Sequence, residues 1–161
     1  MEIMKKDEDP KPSIVLTKHF ELSEIVCRKN MQICPYCGGE LPPEEYWTRV
    51  TDTLKILEKV REYFQNILAY VLITSAYRCK KYNDEISTCK TPDLSQHRIF
   101  AVDFQVIQLT YALKRNVPAM DIYNLLNFLM PASIGGIGII DDISVHFDLR
   151  ESNPWRRNKK Y

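Results

Sequence analysis

The sequence predicts an α+β domain, a small and mostly antiparallel sheet packed against helices on one side. Two patterns carry that expectation. Across residues 44–68, Trp47, Val50, Leu54, Leu57, Val60, Phe64 and Ile67 recur at spacings of three and four, as one buried stripe on a helix requires. Residues 101–107 and 143–149 instead alternate apolar and polar side chains, as strands with one buried face do.

The elements follow in order along the chain. Residues 1–13 are charged and contain proline, and read as a flexible lead-in. Residues 14–26 combine a short apolar run with a helix start that Ser23 is placed to cap. Residues 27–43 are rich in Cys, Gly and Pro and poor in helix or strand signals, so they read as a loop held by something other than a core. The helix at 44–68 follows Pro42 and Pro43, and Glu44 and Glu45 suit its positive end. Residues 71–74 form an apolar strand and residues 82–86 a short helix. A second long helix spans 118–130 between Pro118 and Pro131. Residues 137–140 and 143–149 read as a hairpin turning at Asp141-Asp142. Residues 151–161, with Arg156, Arg157, Lys159 and Lys160, read as a basic, solvated tail.

At 161 residues the chain suits one domain, 14–150, between lead-in and tail. Its formal net charge of +1 argues against a nucleic-acid binder. No apolar run is long enough to span a membrane, and residues 1–10 lack the apolar stretch of a signal peptide. Synthesis in the cytoplasm and a monomeric chain are therefore expected.

The chemistry concentrates on two strands. Asp103 sits between Val102 and Phe104, so alternation turns its carboxylate away from the apolar face. His146 and Asp148 are two residues apart and share a strand face, opposite Val145, Phe147 and Leu149. His97 lies just upstream of the first strand. Two imidazoles and a carboxylate are the three protein ligands that a catalytic zinc commonly keeps. The alternative is that His97 and His146 are ordinary hydrogen-bonded residues at a sheet edge. The chain has 3 histidines in all, which leaves few ways to build such a site.

The 5 cysteines are an odd number: Cys27, Cys34, Cys37, Cys79 and Cys89. Cys34-Pro-Tyr-Cys37-Gly-Gly has the spacing of a metal knuckle, and Cys27, Cys79 or Cys89 would complete a structural zinc site. Reduced free thiols and disulfides are the other two states open to them.

The motifs also resemble a known family, the zinc D-Ala-D-Ala carboxypeptidase-like peptidases (M15), which includes cell-wall carboxypeptidases and phage endolysins. Its S-x-H-x-x-G-x-A-x-D pattern is similar to Ser95-Gln96-His97 followed by Ala101-Val102-Asp103, and its T-S-x-Y-R to Thr74-Ser75-Ala76-Tyr77-Arg78, with Asn83 beyond. The closing G-G-I-G and V-H-x-D-x-R patterns resemble Gly135-Gly136-Ile137-Gly138 and Val145-His146-Phe147-Asp148-Leu149-Arg150. The segment from Leu16 to Glu24 looks like the family's opening. The resemblance spans about residues 14–150.

It implies zinc held by His97, Asp103 and His146, substrate contacts from Arg78, Tyr77 and Ser95, a catalytic role for Arg78 in stabilising the oxyanion beside the zinc, and hydrolysis of a peptide bond in bacterial peptidoglycan. Endopeptidase action of the phage-lysin type is favoured over D,D-carboxypeptidase action, with the basic tail drawn to an anionic wall polymer. The expected place of action is the cell wall, for a chain of host or phage origin. Two departures stand out. The interval from His97 to Asp103 is one residue shorter than the pattern, with Phe100 near the usual Gly. Ile143 stands three residues before His146, where many members carry an acidic general base, which leaves Asp148 first, as a catalytic group or as a support for the metal ligands, and Asp142 second. These departures motivate the alternative of an inactive member that binds cell wall or serves as a virion component. A zinc-ribbon nucleic-acid module built on Cys27, Cys34 and Cys37 is the weakest alternative, given the near-neutral charge.

Overall fold

A computed structural model of the chain describes residues 15–87, 91, 94–109 and 114–158. The lead-in at 1–13, Cys89, Lys159 and Lys160 lie outside the described residues.

The chain enters through α1 (Leu22–Ile25). Glu21 is its N-cap, and the Glu21 and Glu24 side chains form a reciprocal capping box. Ser23, expected to be the cap, lies inside the helix instead. Residues 27–43 are more regular than their composition suggests. They contain a hairpin of β1 (Arg28–Lys29) and β2 (Gln32–Ile33), turning at Asn30 and Met31 with φ of 52° and 66°. Arg28 fastens this hairpin to the body of the fold by donating to the carbonyls of Glu24 and Ile73, each at 2.8 Å.

A 3-10 turn at Glu44–Tyr46 leads into α2 (Trp47–Tyr63). Val50, Leu54, Leu57 and Val60 are buried, and Trp47 and Phe64 pack partly against the core. The helix stops at Tyr63, short of residue 68. Leu68 takes a left-handed φ of 51°, which reverses the chain into the next strand. Ile67 is correspondingly outside the stripe and exposed.

The remaining elements are β3 (Ala69–Ser75), α3 (Lys80–Ile86), β4 (Ala101–Leu109), β5 (Lys114–Asn116), α4 (Ala119–Leu129), β6 (Gly136–Ile139), β7 (Ser144–Asp148) and β8 (Trp155–Arg157). The main sheet has the order β3-β4-β7-β6-β8, with β5 on the far end of β4. Every pairing is antiparallel except β6 with β8. That last strand replaces part of the expected free tail. Arg156 is committed there, donating to the carbonyls of Gly135, Pro131 and Ile134 at 2.8–2.9 Å.

The sheet's two faces divide the labour. Val71, Ile73, Val102, Phe104, Val106, Ile137, Ile139, Val145 and Phe147 join the α2 stripe and Ile122, Leu125 and Leu126 of α4 in one core. The opposite face carries Asp103, His146 and Asp148. Core burial therefore sets which way the polar residues point, because slipping a strand by one residue would expose its whole apolar set.

Leu57 is fully buried in the middle of α2. Leu57→Ala is expected to lower stability by about 2–5 kcal/mol, read as a drop in the urea midpoint with an unchanged m-value. A loss below about 1 kcal/mol, smaller than that range for buried leucines, would mean that α2 is not packed as described.

Candidate metal centre

β4 and β7 pair so that Asp103 stands directly opposite His146. Cross-strand neighbours on one face lie within side-chain reach, and His146 Nδ1 is 2.8 Å from Asp103 Oδ1. His97 arrives from the other side. It sits in a 3-10 turn at Gln96–Arg98 immediately before β4, and its Nε2 is 3.3 Å from the same carboxylate oxygen. The short interval between His97 and Asp103 therefore does not separate them, because the turn supplies the reach.

These donors fit a metal ion. One ligand atom from each of His97, Asp103 and His146 lies within 4.8 Å of the others. Ligands at about 2.0–2.2 Å around a tetrahedral ion stand about 3.4 Å apart. The tautomers fit as well. His97 Nδ1 is 2.7 Å from the Ala76 carbonyl, so it carries a proton and leaves Nε2 free. His146 Nε2 is 3.0 Å from Asp148 Oδ2, which leaves Nδ1 free.

The surroundings explain the flanking motifs. β3 has a bulge where Ile73 faces Phe104 but Ser75 faces Asp103, and Thr74 is the extra residue. The Thr74 hydroxyl donates to the Asp103 carbonyl at 2.9 Å. Arg78 Nη2 donates to Asp103 Oδ2 at 2.7 Å, its Nε to the Ser75 hydroxyl at 3.0 Å, and its backbone N–H to the His97 carbonyl at 2.9 Å. Residues 74–78 thus form a cradle that aims Asp103 and His97. Arg78 also lines the open cleft over the centre.

Asp148 is fully buried behind His146. Arg150 grips both of its oxygens, through Nε at 2.8 Å and through Nη2, while Oδ2 also meets His146. With both oxygens engaged, Asp148 is built to orient His146 rather than to face the cleft. Gly136 pairs with Asp148 across the ladder, and a Cβ there would stand 2.6 Å from Asp148 Oδ2 and 2.7 Å from Trp155 Nε1. The pair of glycines at 135–136 is therefore a space requirement. Gly135 adds a φ of +75°, which favours glycine.

Electrostatics follow from burial and pairing. Burial opposes the charged form of Asp103, but the His97 and His146 imidazoles beside it outweigh that and hold the carboxyl well below its usual range. Burial pushes His97 down and keeps it neutral. Burial also opposes charge on His146, yet the hydrogen bonds to Asp103 and Asp148 raise it to about 9. Burial would raise Asp148; its bonds to Arg150 and His146 lower it instead. In the metal-free chain the His146 proton occupies the position between imidazole and Asp103 that a cation would take.

Not every expected residue joins the site. Tyr77 is buried in the core, its phenol accepting from Arg98 at 3.0 Å, and it does not line the cleft. Asp142 is exposed in the β6–β7 turn, also away from the cleft lining. Ser95 does line the cleft. The third histidine, His19, pairs with Glu58 at 2.7 Å and has no part in the centre. Trp155 was not anticipated. Its ring stacks on His146 with centroids 5.6 Å apart and an interplanar angle of 19°, and Arg150 lies over it at 5.3 Å. The only sequence hint was a tryptophan, one of 2, shortly after the last motif.

The family model described as Peptidase M15 matches residues 18–140, which takes in His97 and Asp103 and stops short of His146. No curated protein and no solved structure matches the chain.

Asp148→Asn keeps the shape of the side chain but removes the charge that orients His146. Zinc affinity, measured by competition with a chromophoric chelator, should fall about 10–100-fold while the circular dichroism spectrum is retained. An unchanged affinity would exclude Asp148 from this role. Because His146 is raised to about 9, zinc uptake at pH 7 should release close to one proton per ion, and affinity should climb with pH until His146 is neutral. Calorimetry in buffers of different ionisation enthalpy checks this, and no proton release would contradict it.

Proposed function

The chain belongs to the peptidase M15 family, and on that footing we propose that it is a zinc-dependent hydrolase cleaving a peptide bond in the stem peptides or cross-links of bacterial peptidoglycan. Membership makes it a metallopeptidase by family. The observation that carries the finer proposal is the convergence of His97 Nε2, Asp103 Oδ1 and His146 Nδ1 on one point beneath an open cleft of about 450 Å³. That is within the range of small-ligand and peptide clefts.

His97, Asp103 and His146 would hold the ion. When bound, zinc supplies Lewis acidity toward a carbonyl and lowers the pKa of water toward about 7. The protein's own residues do the rest. Arg78 fixes Asp103 through one oxygen and leaves the other for the ion. Asp148 and Arg150 fix the His146 ring, and Trp155 packs against its face. Ser95, Gln96 and Leu94 line the rim where a peptide chain would lie.

An endopeptidase suits this cleft better than a carboxypeptidase. A terminal carboxylate calls for a cation that is not already shared. The cleft's two arginines, Arg78 and Arg150, are committed to Asp103 and Asp148. Among the described residues no helix is long and apolar enough to cross a membrane. We place its action at the cell wall, as a monomer, with phage origin in keeping with lysin-type cleavage.

One observation favours the alternative of a member that binds wall peptide without cutting it. Among the described residues lining the cleft, Asp103 is the sole carboxylate, Ile143 occupies the place of the family's acidic base, and Asp148 is fully engaged. A single assay separates the two. Purified sacculi should lose turbidity with the zinc-loaded chain and release new amino termini. His146→Ala should abolish both zinc uptake at this centre and cleavage. Zinc bound at the centre with no cleavage, across several pH values and wall types, would overturn the enzyme reading and leave the binding module.

A further inference from the structure

A second group of metal-ligating side chains lies apart from the catalytic centre. Cys27, Cys34, Cys37 and Cys79 bring their sulfurs within 4.8 Å of one another, and all four are free thiols. Three are buried, and Cys37 is partly exposed. We propose that these four cysteines hold a structural zinc ion, and that this ion locks the hairpin of β1 and β2 onto Cys79 and thereby positions Arg78 against Asp103.

The geometry is that of a tetrahedral thiolate site. With Zn–S near 2.3 Å, sulfurs in a ZnS₄ tetrahedron stand about 3.8 Å apart. Cys34 and Cys79 Sγ are 3.8 Å apart, far beyond a disulfide bond of about 2.05 Å. The loop is also shaped as a knuckle. The Gly38 N–H closes a turn onto the Cys34 carbonyl at 2.9 Å, and Gly38 and Gly39 take φ of 68° and 86°. Backbone N–H groups point at the sulfurs, Glu40 to Cys37 at 3.3 Å and Cys79 to Cys27 at 3.1 Å. Such donors stabilise thiolates, the form a metal requires. Cys89 lies outside the described residues and is not needed for a complete set. Residues 27–43 otherwise contribute little to the core beyond Cys27 and Cys34, so a metal would add a strong tie to those that Arg28 and Lys29 already make.

The link to chemistry runs through one peptide unit. Cys79 directly follows Arg78, which holds Asp103 Oδ2 at 2.7 Å, and Ala76 of the same segment receives His97 Nδ1 at 2.7 Å. Releasing Cys79 would loosen the segment that aims two of the three candidate catalytic ligands.

The test uses the full chain and does not require that it cleave anything. His146→Ala disables the catalytic centre, so elemental analysis of that variant should find one zinc per chain. Its cobalt-loaded form should show intense thiolate-to-cobalt charge transfer in the near ultraviolet. The unsubstituted chain should hold two. In Cys34→Ser with Cys37→Ser, the remaining centre should bind zinc at least about 10-fold more weakly by chelator competition, as loss of a supporting shell does elsewhere. Should that variant fail to fold, Cys37→His keeps a zinc-competent Cys₃His set and should retain the metal with weaker charge transfer. A His146→Ala chain without metal, or cobalt without thiolate charge transfer, overturns the proposal. An unaltered affinity at the catalytic centre after the cysteine metal is lost overturns its positioning half. One zinc in both the unsubstituted chain and His146→Ala would instead sink the catalytic centre and leave this site standing.

Discussion

Asp103 is a carboxylate held almost out of solvent in the middle of a sheet, and the surrounding structure is arranged around the cost of keeping it charged there. An isolated buried carboxylate would be driven to its neutral form. Here Arg78 takes one oxygen while His146 and His97 share the other. Each partner comes from a different element, β7, the turn before β4, and the segment after the β3 bulge. The carboxylate is thus the point at which three separate stretches of chain agree on their positions. Removing Arg78 or His146 would leave charge uncompensated, which is more costly than losing an ordinary contact.

A second carboxylate repeats the arrangement one layer behind. Asp148 is fully buried, clamped by Arg150, and touches His146 on the side away from Asp103. His146 therefore lies between two anions and keeps its proton until something with more charge displaces it. That is the condition expected of a preformed cation site. Gly136 and Trp155 belong to the same device, the first by leaving space and the second by covering the ring.

The apolar half of the molecule does the complementary work. Core residues of β4, β6 and β7 pack against α2 and α4 and so turn the alternate residues toward the cleft. The N-terminal stretch is joined to this body by the buried Phe20 and Ile25 and by specific polar ties. Thr17 and His19 bind Glu58 on α2, Arg28 reaches the carbonyl of Ile73, and the cysteines meet across the loop. These ties add to the burial of Phe20 and Ile25 in the same core and hold the hairpin beyond them, where ordering the backbone costs about 1–2 kcal/mol per residue.

By itself, the sequence determined what depends on period and local chemistry. The stripe on α2, the alternation around Asp103, and the shared face of His146 and Asp148 follow from helix and strand repeats; the burial of Val50, Leu54, Leu57 and Val60 bears out the first, and the contacts of His146 with Asp103 and Asp148 the other two. The spacing of His97, Asp103 and His146 within ordered motifs sufficed to pick them out as candidate ligands. Only the tertiary structure decided which groups meet. It moved Tyr77 into the core and Asp142 away from the cleft, turned Arg78 and Asp148 into supports for the ligands, brought Trp155 back across the sheet as β8, and closed Cys79 onto Cys27, Cys34 and Cys37. The reason is physical. A repeat of two or three-and-a-half residues sets the direction of a side chain, whereas its partner is set by strand order, bulges and chain reversals such as those at Thr74 and Leu68, which no local pattern encodes.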